Sequence, residues 1–526
     1  MGKEIAVVGG GAAGMMAAIC ATYAGAHVTV YERNERVGKK ILSTGNGKCN
    51  FSNEFMDANC YYGGGAACVD RIYSRFGLAE TKVFFQKLGM RIKDKNGYLY
   101  PASEQAATVL DVLRYEMERL GITLLLGCRV AAVSSLSQDK TVNEGTMGSE
   151  GGQARLLVVE TESFKPRRRT YDAVILACGG RAAPKTGSDG NGFALAKRLG
   201  HQIIPTVPAL TALRCKEAFL KQTAGVRCEA GITLYIDGIA ASQVYGELQL
   251  TEYGISGIPV FQFSRIAAYA LLEKRCVTAE IDFMPDSNAA FWTKRWTQQG
   301  KQSMEQFVTG IVNKKVGLLL LKLAGINETE RACEISVSRR EKFEKLFRSL
   351  KVTVAETNSY EQAQVCAGGV DFREVTESLQ SVRVPGVFFA GELLDIDGIC
   401  GGYNLQWAWS SGAVAGFAAA GSEKNADTDG KTEAKKKEEN TIKPGQDSLA
   451  DHLDRLHTTE LGGIRIRKNL ALKTEDVVAW CRAKIASGQA MITRQGKNWY
   501  IEVDGCVITV NAYSYTIITA HKKQGV

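Results

Sequence analysis

The chain has 526 residues, a length that at about 150 residues per domain predicts three or four folding units. Hydrophobic residues make up 45% and charged residues 23%, which excludes global disorder, and 55 glycines without a G-X-Y period exclude a collagen-like fibre. A formal net charge of +9 over this length is too diffuse to predict nucleic-acid binding.

The N-terminal region has the pattern of a β-α-β unit. Residues 5–8 are an apolar run typical of a buried strand, residues 14–23 are rich in alanine and methionine as in a helix, and residues 27–31 form a second strand. Together they predict the first crossover of a parallel, doubly wound sheet.

A glycine-rich motif joins the first strand to the helix with the spacing G-x-G-x-x-G. Gly9 permits the tight turn, Gly11 lets the backbone approach a pyrophosphate, and Gly14 lets helix and strand pack closely. The motif opens the predicted helix, whose N-terminal N–H groups and positive dipole attract an anion. The motif predicts a dinucleotide cofactor.

The residues after the second strand favour FAD over NAD. Glu32 ends that strand, where a carboxylate can bond a ribose diol. The segment that follows, 33–50, contains Gly38, Gly45 and Gly47 among several hydroxyl and amide side chains, which suits a loop lying along a long cofactor. An NAD-binding domain of this type needs no such loop.

Two later segments extend the predicted sheet. Residues 171–177 form a buried strand that leads into Gly179, and residues 387–390 form another that ends at Gly391. Because long crossovers separate these strands, the sheet is expected to be parallel.

Composition divides the chain into domains. Within residues 206–362, an alternating pattern typical of antiparallel strands is followed by a pattern with helical spacing. This change predicts an inserted substrate or cap domain between two parts of an FAD-binding domain, 1–205 and 363–420. Residues 421–447 contain one large apolar residue and predict a flexible linker. Residues 448–526 carry a D-G hairpin signal and predict a small accessory domain. The predicted fold class is α/β, a Rossmann-like FAD-binding domain with a β-rich and helical insertion and a small α+β C-terminal domain after the linker.

Four ordered motifs resemble one bacterial family of flavoproteins. These are the NAD(P)/FAD-dependent oxidoreductases with a glutathione-reductase-like flavin domain, aminoacetone-oxidase-like, of which one branch is associated with bile-acid reduction. The motifs are GKKILSTGNGKCN (38–50), GSDGNGFALAKRLGH (187–201), AQVCAGGV (363–370) and GELLDIDGICGGYNLQWAWSSG (391–412). The C-terminal domain resembles a small uncharacterised bacterial domain through GKNWY (496–500) and NAYSYTIITAH (511–521).

The last of the four motifs has a physical interpretation. Asp395 and Asp397 can reach ribityl hydroxyls. The resemblance implies that the helix that follows points its N-terminus at the flavin pyrimidine edge, as in this class of flavoproteins, where it stabilises charge on the reduced ring. Neither a metal ligand nor a catalytic residue is assigned. The motifs and the resemblance together imply FAD contacts at Gly9, Gly11, Ala12, Ala13, Gly14, Glu32, Arg33, Lys40, Thr44, Gly45, Asn50, Val130, Ala177, Gly179, Gly391, Asp397, Gly402, Asn404 and Leu405.

The predicted function is an FAD-dependent oxidoreductase that transfers a hydride between flavin N5 and a small or medium hydrophobic organic substrate. The reaction is either reduction of an activated C=C bond or oxidation of an amine or ketone, and NAD(P)H is a candidate transient electron donor. The alternative is a flavin-binding sensor or interaction protein, or an RNA-associated flavoprotein, in which 448–526 binds a protein partner or itself. We expect no membrane partner and no nucleic-acid partner, and 14 scattered cysteines favour the reducing cytoplasm.

The positions of the cysteines and histidines restrict the reaction mechanisms that the sequence can support. Cys60 is the next cysteine after Cys49, so the closely paired cysteines of a flavin disulfide reductase are missing. None of the five histidines lies between 202 and 451, so proton donors are expected among tyrosine, arginine, glutamate, cysteine and water. Tyr98 and Tyr100 stay open as substrate contacts or as packing residues.

Overall fold

The protein is described by a computed structural model, in which the chain divides into two compact units, 1–428 and 429–526. The predicted linker, 421–447, lies outside the described residues from 423 onward. Among the described residues, no helix is both long enough and apolar enough to cross a membrane. The described residues are 2–64, 66–136, 156–162, 165, 167–422, 449–458, 463, 466–467, 469–470, 472, 474, 476–487, 490–495, 498–511 and 515–522.

The first unit contains most of the regular structure. Its strands are β1 (Glu4–Val8), β2 (His27–Tyr31), β3 (Ser52–Asn53), β4 (Tyr61–Gly63), β5 (Ile92–Lys95), β6 (Tyr98–Pro101), β7 (Thr123–Leu125), β8 (Val130–Leu136), β9 (Leu156–Thr161), β10 (Arg168–Tyr171), β11 (Ala173–Leu176), β12 (Ile203–Ala209), β13 (Leu213–Cys215), β14 (Arg227–Ile236), β15 (Ile239–Thr251), β16 (Gly254–Ser256), β17 (Val277–Asp282), β18 (Leu350–Thr357), β19 (Val365–Val370), β20 (Val387–Phe389) and β21 (Ile396–Gly398). Its helices are α1 (Ala12–Tyr23), α2 (Ala66–Tyr73), α3 (Leu78–Lys87), α4 (Ala106–Arg119), α5 (Asn191–Arg198), α6 (Ile258–Leu272), α7 (Ala289–Gln298), α8 (Met304–Val308), α9 (Lys314–Ala324), α10 (Val337–Arg348) and α11 (Tyr403–Ala420).

A five-stranded parallel sheet with the order β7-β2-β1-β11-β20 forms the centre of this unit. Val8 at the end of β1 lies beside Tyr31 of β2 and Leu176 of β11, so these strands end at one edge. The strand order reverses between β1 and β11, and such a switch point opens a crevice at the carboxyl ends of the strands. The crevice places the glycine motif after β1 at the edge where ligands bind in this fold.

Helices α1 and α11 pack against each other through glycines. A Cβ atom on Gly412 would lie 2.4 Å from the carbonyl oxygen of Ala13, and one on Gly416 would lie 2.4 Å from that of Ala17. Both contacts advance in the same chain direction, so the helices run parallel. Only glycine allows backbones to approach this closely.

The insertion forms a closed barrel with the strand order β13-β16-β15-β14-β17-β18. Helix α6 follows the barrel strand β16 and buries Val260 and Phe263, while α7 to α10 form a layer around Trp292 and Phe343. The chain enters and leaves through an antiparallel ribbon of β12 and β19, in which Val207 lies opposite Ala367. The ribbon joins the barrel to the parallel-sheet region.

The described part of the second unit contains a 3-10 helix (Leu449–Arg455), an α-helix and an antiparallel sheet. Asp504 and Gly505 both have positive φ and form the tight turn between its second and third strands, as the D-G signal predicts. With the parallel sheet, the insertion and this small α+β unit in place, the predicted fold class is confirmed. The elements are α12 (Val477–Ile485), β22 (Met491–Gln495), β23 (Asn498–Val503), β24 (Cys506–Asn511) and β25 (Ile517–Lys522), with the strands paired in that order.

Candidate functional site

The three glycines of the G-x-G-x-x-G loop differ in what surrounds them. A Cβ atom added at Gly9 would lie 2.5 Å from the carbonyl oxygen of Ala177. One added at Gly14 would lie 1.8 Å from the carbonyl oxygen of Gly9. At Gly11, no atom of the described residues lies within 4 Å of such a Cβ. Packing therefore requires glycine at 9 and 14, whereas position 11 faces open space that a phosphate can enter.

The start of α1 offers unused hydrogen-bond donors to that space. No side chain caps the helix, and the N–H groups of Gly11, Ala12 and Ala13 have no acceptor in the described part of the chain. A helix N-terminus with free N–H groups and positive dipole is an anion site. Gly391 lies beside it, because a Cβ there would approach the Cβ of Ala13 to 2.8 Å.

Glu32 lies at the adjacent end of β2 and is buried. Its Oε2 accepts a hydrogen bond from the N–H of Gly10 at 2.9 Å, and its Oε1 accepts from both the N–H and Nδ2 of Asn34 at 2.8 Å. Each carboxylate oxygen has two lone pairs, so Glu32 keeps capacity for a further donor such as a ribose hydroxyl.

The predicted FAD contacts Arg33 and Val130 belong to a polar network around Asp189. Asp189 pairs with Arg33 and, at 2.9 Å, with Arg129. The backbone oxygen of Val130 accepts a hydrogen bond from Nδ2 of Asn191 at 3.1 Å. Gly179, after β11, has a φ of +71°, and Ala177 donates its N–H to Val8 at 2.9 Å.

The loop 41–50 is held in a tight conformation by its own backbone. Gly45, Asn46 and Cys49 have φ values of +55°, +52° and +56°, and a Cβ on Gly45 would lie 2.9 Å from the nitrogen of Asn50. Thr44 donates its hydroxyl to the carbonyl of Ile41 at 2.6 Å. Burial raises the pKa of Cys49 to about 12, so this thiol is a packing group and not a thiolate nucleophile.

Asn50 ties this loop to the start of α11. Its side-chain amide, oriented to satisfy its neighbours, donates to the carbonyls of Ser52 at 2.7 Å and Leu99 at 3.0 Å. Gly402, with a φ of +92°, approaches the same segment so closely that a Cβ would lie 2.5 Å from the oxygen of Ser52. The loop and the helix start are therefore in direct contact.

Residues 398–402, which we call the glycine turn, immediately precede helix α11. Asn404 braces this turn, since its Oδ1 accepts from the N–H of Gly398 and its Nδ2 donates to the Gly398 carbonyl, both at 2.8 Å. Within the described chain, the N–H groups of Tyr403, Asn404 and Leu405 have no acceptor. This gives a second helix N-terminus with free donors.

The offset between the two helix starts sets a length for the ligand. Gly412 lies opposite Ala13 at the start of α1. Helix α11 begins at Tyr403, which is about 13 Å before Gly412 along the helix axis at 1.5 Å per residue. A pyrophosphate at one start, a polar ring edge at the other and a five-carbon polyol between them fit this separation. The two N-termini therefore match the two ends of a flavin dinucleotide's phosphate-to-ring segment.

Three carboxylates lie in the β19, β20 and β21 region, and only some are satisfied. Glu392 pairs with Nζ of Lys40 at 2.8 Å and accepts from the N–H of Cys366 at 2.6 Å. Asp397 accepts from Nε of Arg265 at 2.9 Å, and burial raises its pKa to about 6 although the arginine opposes this shift. Asp395 Oδ1 is buried without a partner among the described residues, and burial raises the pKa of this group too.

These contacts distinguish Asp395 from Asp397 as candidate ligands of the ribityl hydroxyls. The carboxylate of Asp397, a predicted FAD contact, is directed to Arg265, whereas Asp395 offers an unpartnered buried oxygen of the kind that a ribityl hydroxyl would satisfy. Glu392 was not singled out from the sequence, although its place directly after Gly391 was the available signal. The open space at Gly11, the free N–H groups and this orphaned oxygen together fit FAD.

Three large apolar side chains on segments that contact the glycine turn or its neighbours stay exposed, and we call Phe55, Tyr98 and Ile258 the apolar rim. The Tyr98 ring approaches Gly401 so that a Cβ there would be 2.9 Å away, and Tyr98 is 41% exposed. Phe55 lies against Gly97 and is 69% exposed. Ile258 is the first residue of α6, one helical turn before Gln262, whose side chain contacts Cys400 in the glycine turn, and it is 57% exposed.

The chain matches two family models. The model described as HI0933-like protein Rossmann domain matches residues 3–418, and the model of the protein of unknown function DUF3781 matches residues 450–521. The second match agrees with the predicted resemblance of the C-terminal domain to a small uncharacterised domain.

Named relatives are similar over most of their length. The 3-dehydro-bile acid delta(4,6)-reductase of Clostridium scindens is 40% identical, covering 80% of this chain and 99% of the relative. The ribosomal RNA dihydrouridine synthase of Haemophilus influenzae is 28% identical, covering 78% of this chain and 96% of the relative. Among solved structures, a 3-ketosteroid delta1-dehydrogenase from Sterolibacterium denitrificans covers 80% of this chain and 99% of that chain at 13% identity, but its TM-score of 0.41 carries no functional argument.

Proposed function

The chain belongs to the HI0933-like protein family, and from that membership we propose that it reduces a carbon–carbon double bond conjugated to a ketone in a steroid-like substrate. It is an FAD-dependent oxidoreductase, so the predicted family, cofactor and enzyme class are confirmed. The predicted alternative of a non-catalytic flavin sensor loses support because the relatives that match along nearly their whole length are named as enzymes.

The chemistry proposed here is common to both relatives. A delta(4,6)-unsaturated 3-ketone and a uracil ring each contain a C=C bond conjugated to a carbonyl, and such a bond accepts a hydride because the carbonyl oxygen takes up the negative charge. The higher identity to the bile-acid reductase favours the steroid-like substrate. RNA is the second candidate substrate, supported by two relatives of lower identity, 28% and 26%, that are both named as ribosomal RNA dihydrouridine synthases.

The apolar rim is the observation that carries the substrate class. A steroid skeleton is largely hydrocarbon, and removing about 100 Å² of apolar surface from water contributes about 2.5 kcal/mol. Tyr98 lies against the glycine turn, Phe55 lies beside Tyr98's hairpin at Gly97, and Ile258 begins the helix that contacts the turn through Gln262, so a rigid hydrophobic ring system bound at the turn can pack against exposed apolar surface. A charged RNA strand would instead favour basic side chains at this place.

We assign the FAD contacts as follows. The pyrophosphate lies at the start of α1, the adenosine ribose at Glu32, the ribityl hydroxyls near Glu392 and Asp395, and the flavin ring between loop 41–50 and the start of α11. The bound cofactor supplies a hydride at N5 when it is reduced. The free N–H groups at the start of α11 stabilise negative charge at the adjoining ring edge.

The insertion is proposed to be the substrate-binding or cap domain, with α6 as its contact with the flavin region. Two polar contacts support this, from Arg265 to Asp397 at 2.9 Å and from Gln262 to Cys400 at 3.1 Å. Electrons are proposed to come from NAD(P)H, and a cytoplasmic location is supported by the free thiols of all 14 cysteines.

The proposal is tested by reoxidation of the reduced holoenzyme. The FAD-loaded protein is reduced with dithionite without oxygen and mixed with a 4,6-dien-3-one steroid, a saturated 3-keto steroid or RNA, while absorbance near 450 nm reports flavin oxidation. We expect the dienone alone to restore the absorbance, with a product that has gained two hydrogens. Reoxidation by RNA but by no steroid would replace the steroid-like substrate with the second candidate, and reoxidation by neither would refute the proposal.

A further inference from the structure

We propose that Gln262 binds the carbonyl oxygen of the substrate and stabilises the negative charge that develops there during reduction. The assignment rests on the proposed function and adds a catalytic residue to it. It comes from the insertion, from a segment without any of the flavin motifs.

The orientation of the Gln262 amide is fixed by one contact. The backbone N–H of Cys400 donates to Oε1 of Gln262 at 3.1 Å. A backbone N–H is only a donor, so the atom that it meets must be the oxygen of the amide, and Nε2 must point away from Cys400. The assignment of oxygen and nitrogen therefore does not depend on a choice between two equivalent orientations.

The Nε2 group of Gln262 has two N–H donors and no acceptor among the described residues. Its neighbours on the same helix are engaged, because Arg265 pairs with Asp397 and the hydroxyl of Tyr269 donates to Pro205 at 3.0 Å. Gln262 is half-buried, so its free donors are directed to a partly desolvated place where a hydrogen bond to a ligand is worth more than in open water.

The position of Gln262 links the glycine turn to the apolar rim. Cys400 immediately precedes Gly401 and Gly402, which lead into the helix start assigned to the flavin ring. Ile258 lies one helical turn before Gln262 and therefore on the same face of α6. A substrate packed on Ile258 next to the flavin ring would have Gln262 within its reach.

The reaction creates the charge that such a donor stabilises. Hydride adds to the terminal carbon of the conjugated C=C bond, the π electrons shift toward the ketone, and the carbonyl oxygen becomes an enolate oxygen. A proton from water then adds to carbon and restores the ketone, so the substrate gains one hydride and one proton while the reduced flavin is oxidised. A donor aimed at the enolate oxygen contributes roughly 10²- to 10³-fold to the rate in comparable oxyanion sites.

Gln262→Glu isolates the donor because glutamate keeps the shape of glutamine and its acceptor for the Cys400 N–H. At neutral pH the carboxylate has no hydrogen to donate. Gln262→Met removes both the donor and the contact with Cys400, and Gln298→Glu makes the same isosteric change at an exposed position on α7. All three variants are compared with the unaltered protein as FAD-loaded enzyme after reduction with dithionite.

Two oxidants distinguish a catalytic role from a structural one. We expect Gln262→Glu to slow reoxidation by the dienone steroid about 100-fold, while reoxidation by ferricyanide, which needs no carbonyl donor, stays unchanged. Gln262→Met should show the same reoxidation rates as Gln262→Glu, and Gln298→Glu should show those of the unaltered protein. Equal slowing with both oxidants, or slowing in Gln262→Met alone, would overturn the assignment in favour of a structural contact.

The comparison also separates this inference from the proposed function. If the unaltered enzyme fails to reduce the dienone, the proposed substrate class is wrong, and the assignment of Gln262 falls with it. If the unaltered enzyme reduces the dienone and Gln262→Glu does so equally fast, only the role of Gln262 is refuted.

Discussion

Substitution of Gly11 should separate cofactor binding from folding. Valine places a branched side chain where a phosphate must meet the backbone, yet its Cβ meets no described atom within 4 Å. The φ of −80° at Gly11 is open to any residue, so the backbone is not strained. We expect the free energy of unfolding of the apoprotein to fall by only about 0.5–1 kcal/mol, as is usual at a helix N-cap.

The loss of FAD affinity follows from the hydrogen bonds that the variant cannot make. The start of α1 offers free N–H groups from Gly11, Ala12 and Ala13. A hydrogen bond to a charged group contributes about 1.5–3 kcal/mol, so losing two of them costs about 3–6 kcal/mol. At about 1.4 kcal/mol per tenfold change, the Kd for FAD should rise roughly 10²- to 10⁴-fold.

Gly14→Ala is the matched change at a packed position of the same motif. Its Cβ would lie 1.8 Å from the carbonyl oxygen of Gly9, so the helix must move away from β1. Overpacking of this kind costs about 1–3 kcal/mol. Because the clash at 1.8 Å is with backbone, we expect a cost at the upper end of this range, which leaves a net loss of about 2 kcal/mol after the gain of up to about 1 kcal/mol from replacing glycine in a helix. Gly14→Ala should therefore destabilise the apoprotein more than Gly11→Val does.

Flavin-fluorescence titration measures the Kd, and urea denaturation of the apoproteins measures stability. Stoichiometric FAD in purified Gly11→Val would refute the assignment of this loop to the pyrophosphate. Unchanged denaturation of Gly14→Ala would refute the account of why the motif needs its third glycine.

Two further predictions concern the ion pair under α6 and the C-terminal unit. Arg265→Met leaves the buried carboxylate of Asp397 unpaired and should lower the free energy of unfolding, measured by urea denaturation, by about 3–5 kcal/mol. Arg227→Met, at an exposed ion pair, should lower it by only about 0–1 kcal/mol. Equal losses in the two variants would contradict this reasoning. A chain ending at Ser422 keeps the N–H that donates to Phe417 at 3.0 Å at the end of α11, so its FAD content and dienone reduction should equal those of the full chain. Retained FAD with lost turnover would instead place the C-terminal unit in the active assembly.

Local sequence determined the fold of the nucleotide-binding region. The glycine spacing of 9–14, the acidic residue at 32 and the apolar strands specify turns and backbone contacts between near neighbours in the chain. Glycine is required at positions 9 and 14 for short-range steric reasons. Such requirements can be predicted from the sequence without knowledge of the rest of the fold. For the same reason the D-G turn at Asp504 was predictable from two adjacent residues.

Tertiary structure alone decided which side chains meet at the glycine turn. Arg265 and Asp397 are separated by 132 positions and Gln262 and Cys400 by 138, and no local pattern links either pair. Closure of the barrel and the ribbon of β12 and β19 bring α6 to Asp397 and the glycine turn. Asp395 and Asp397 were both predicted to reach ribityl hydroxyls, and only the tertiary contacts distinguish them: Asp397 pairs with Arg265, whereas Oδ1 of Asp395 has no partner among the described residues. A sequence specifies which groups are available, but the burial and direction of each carboxylate depend on which distant element packs against it.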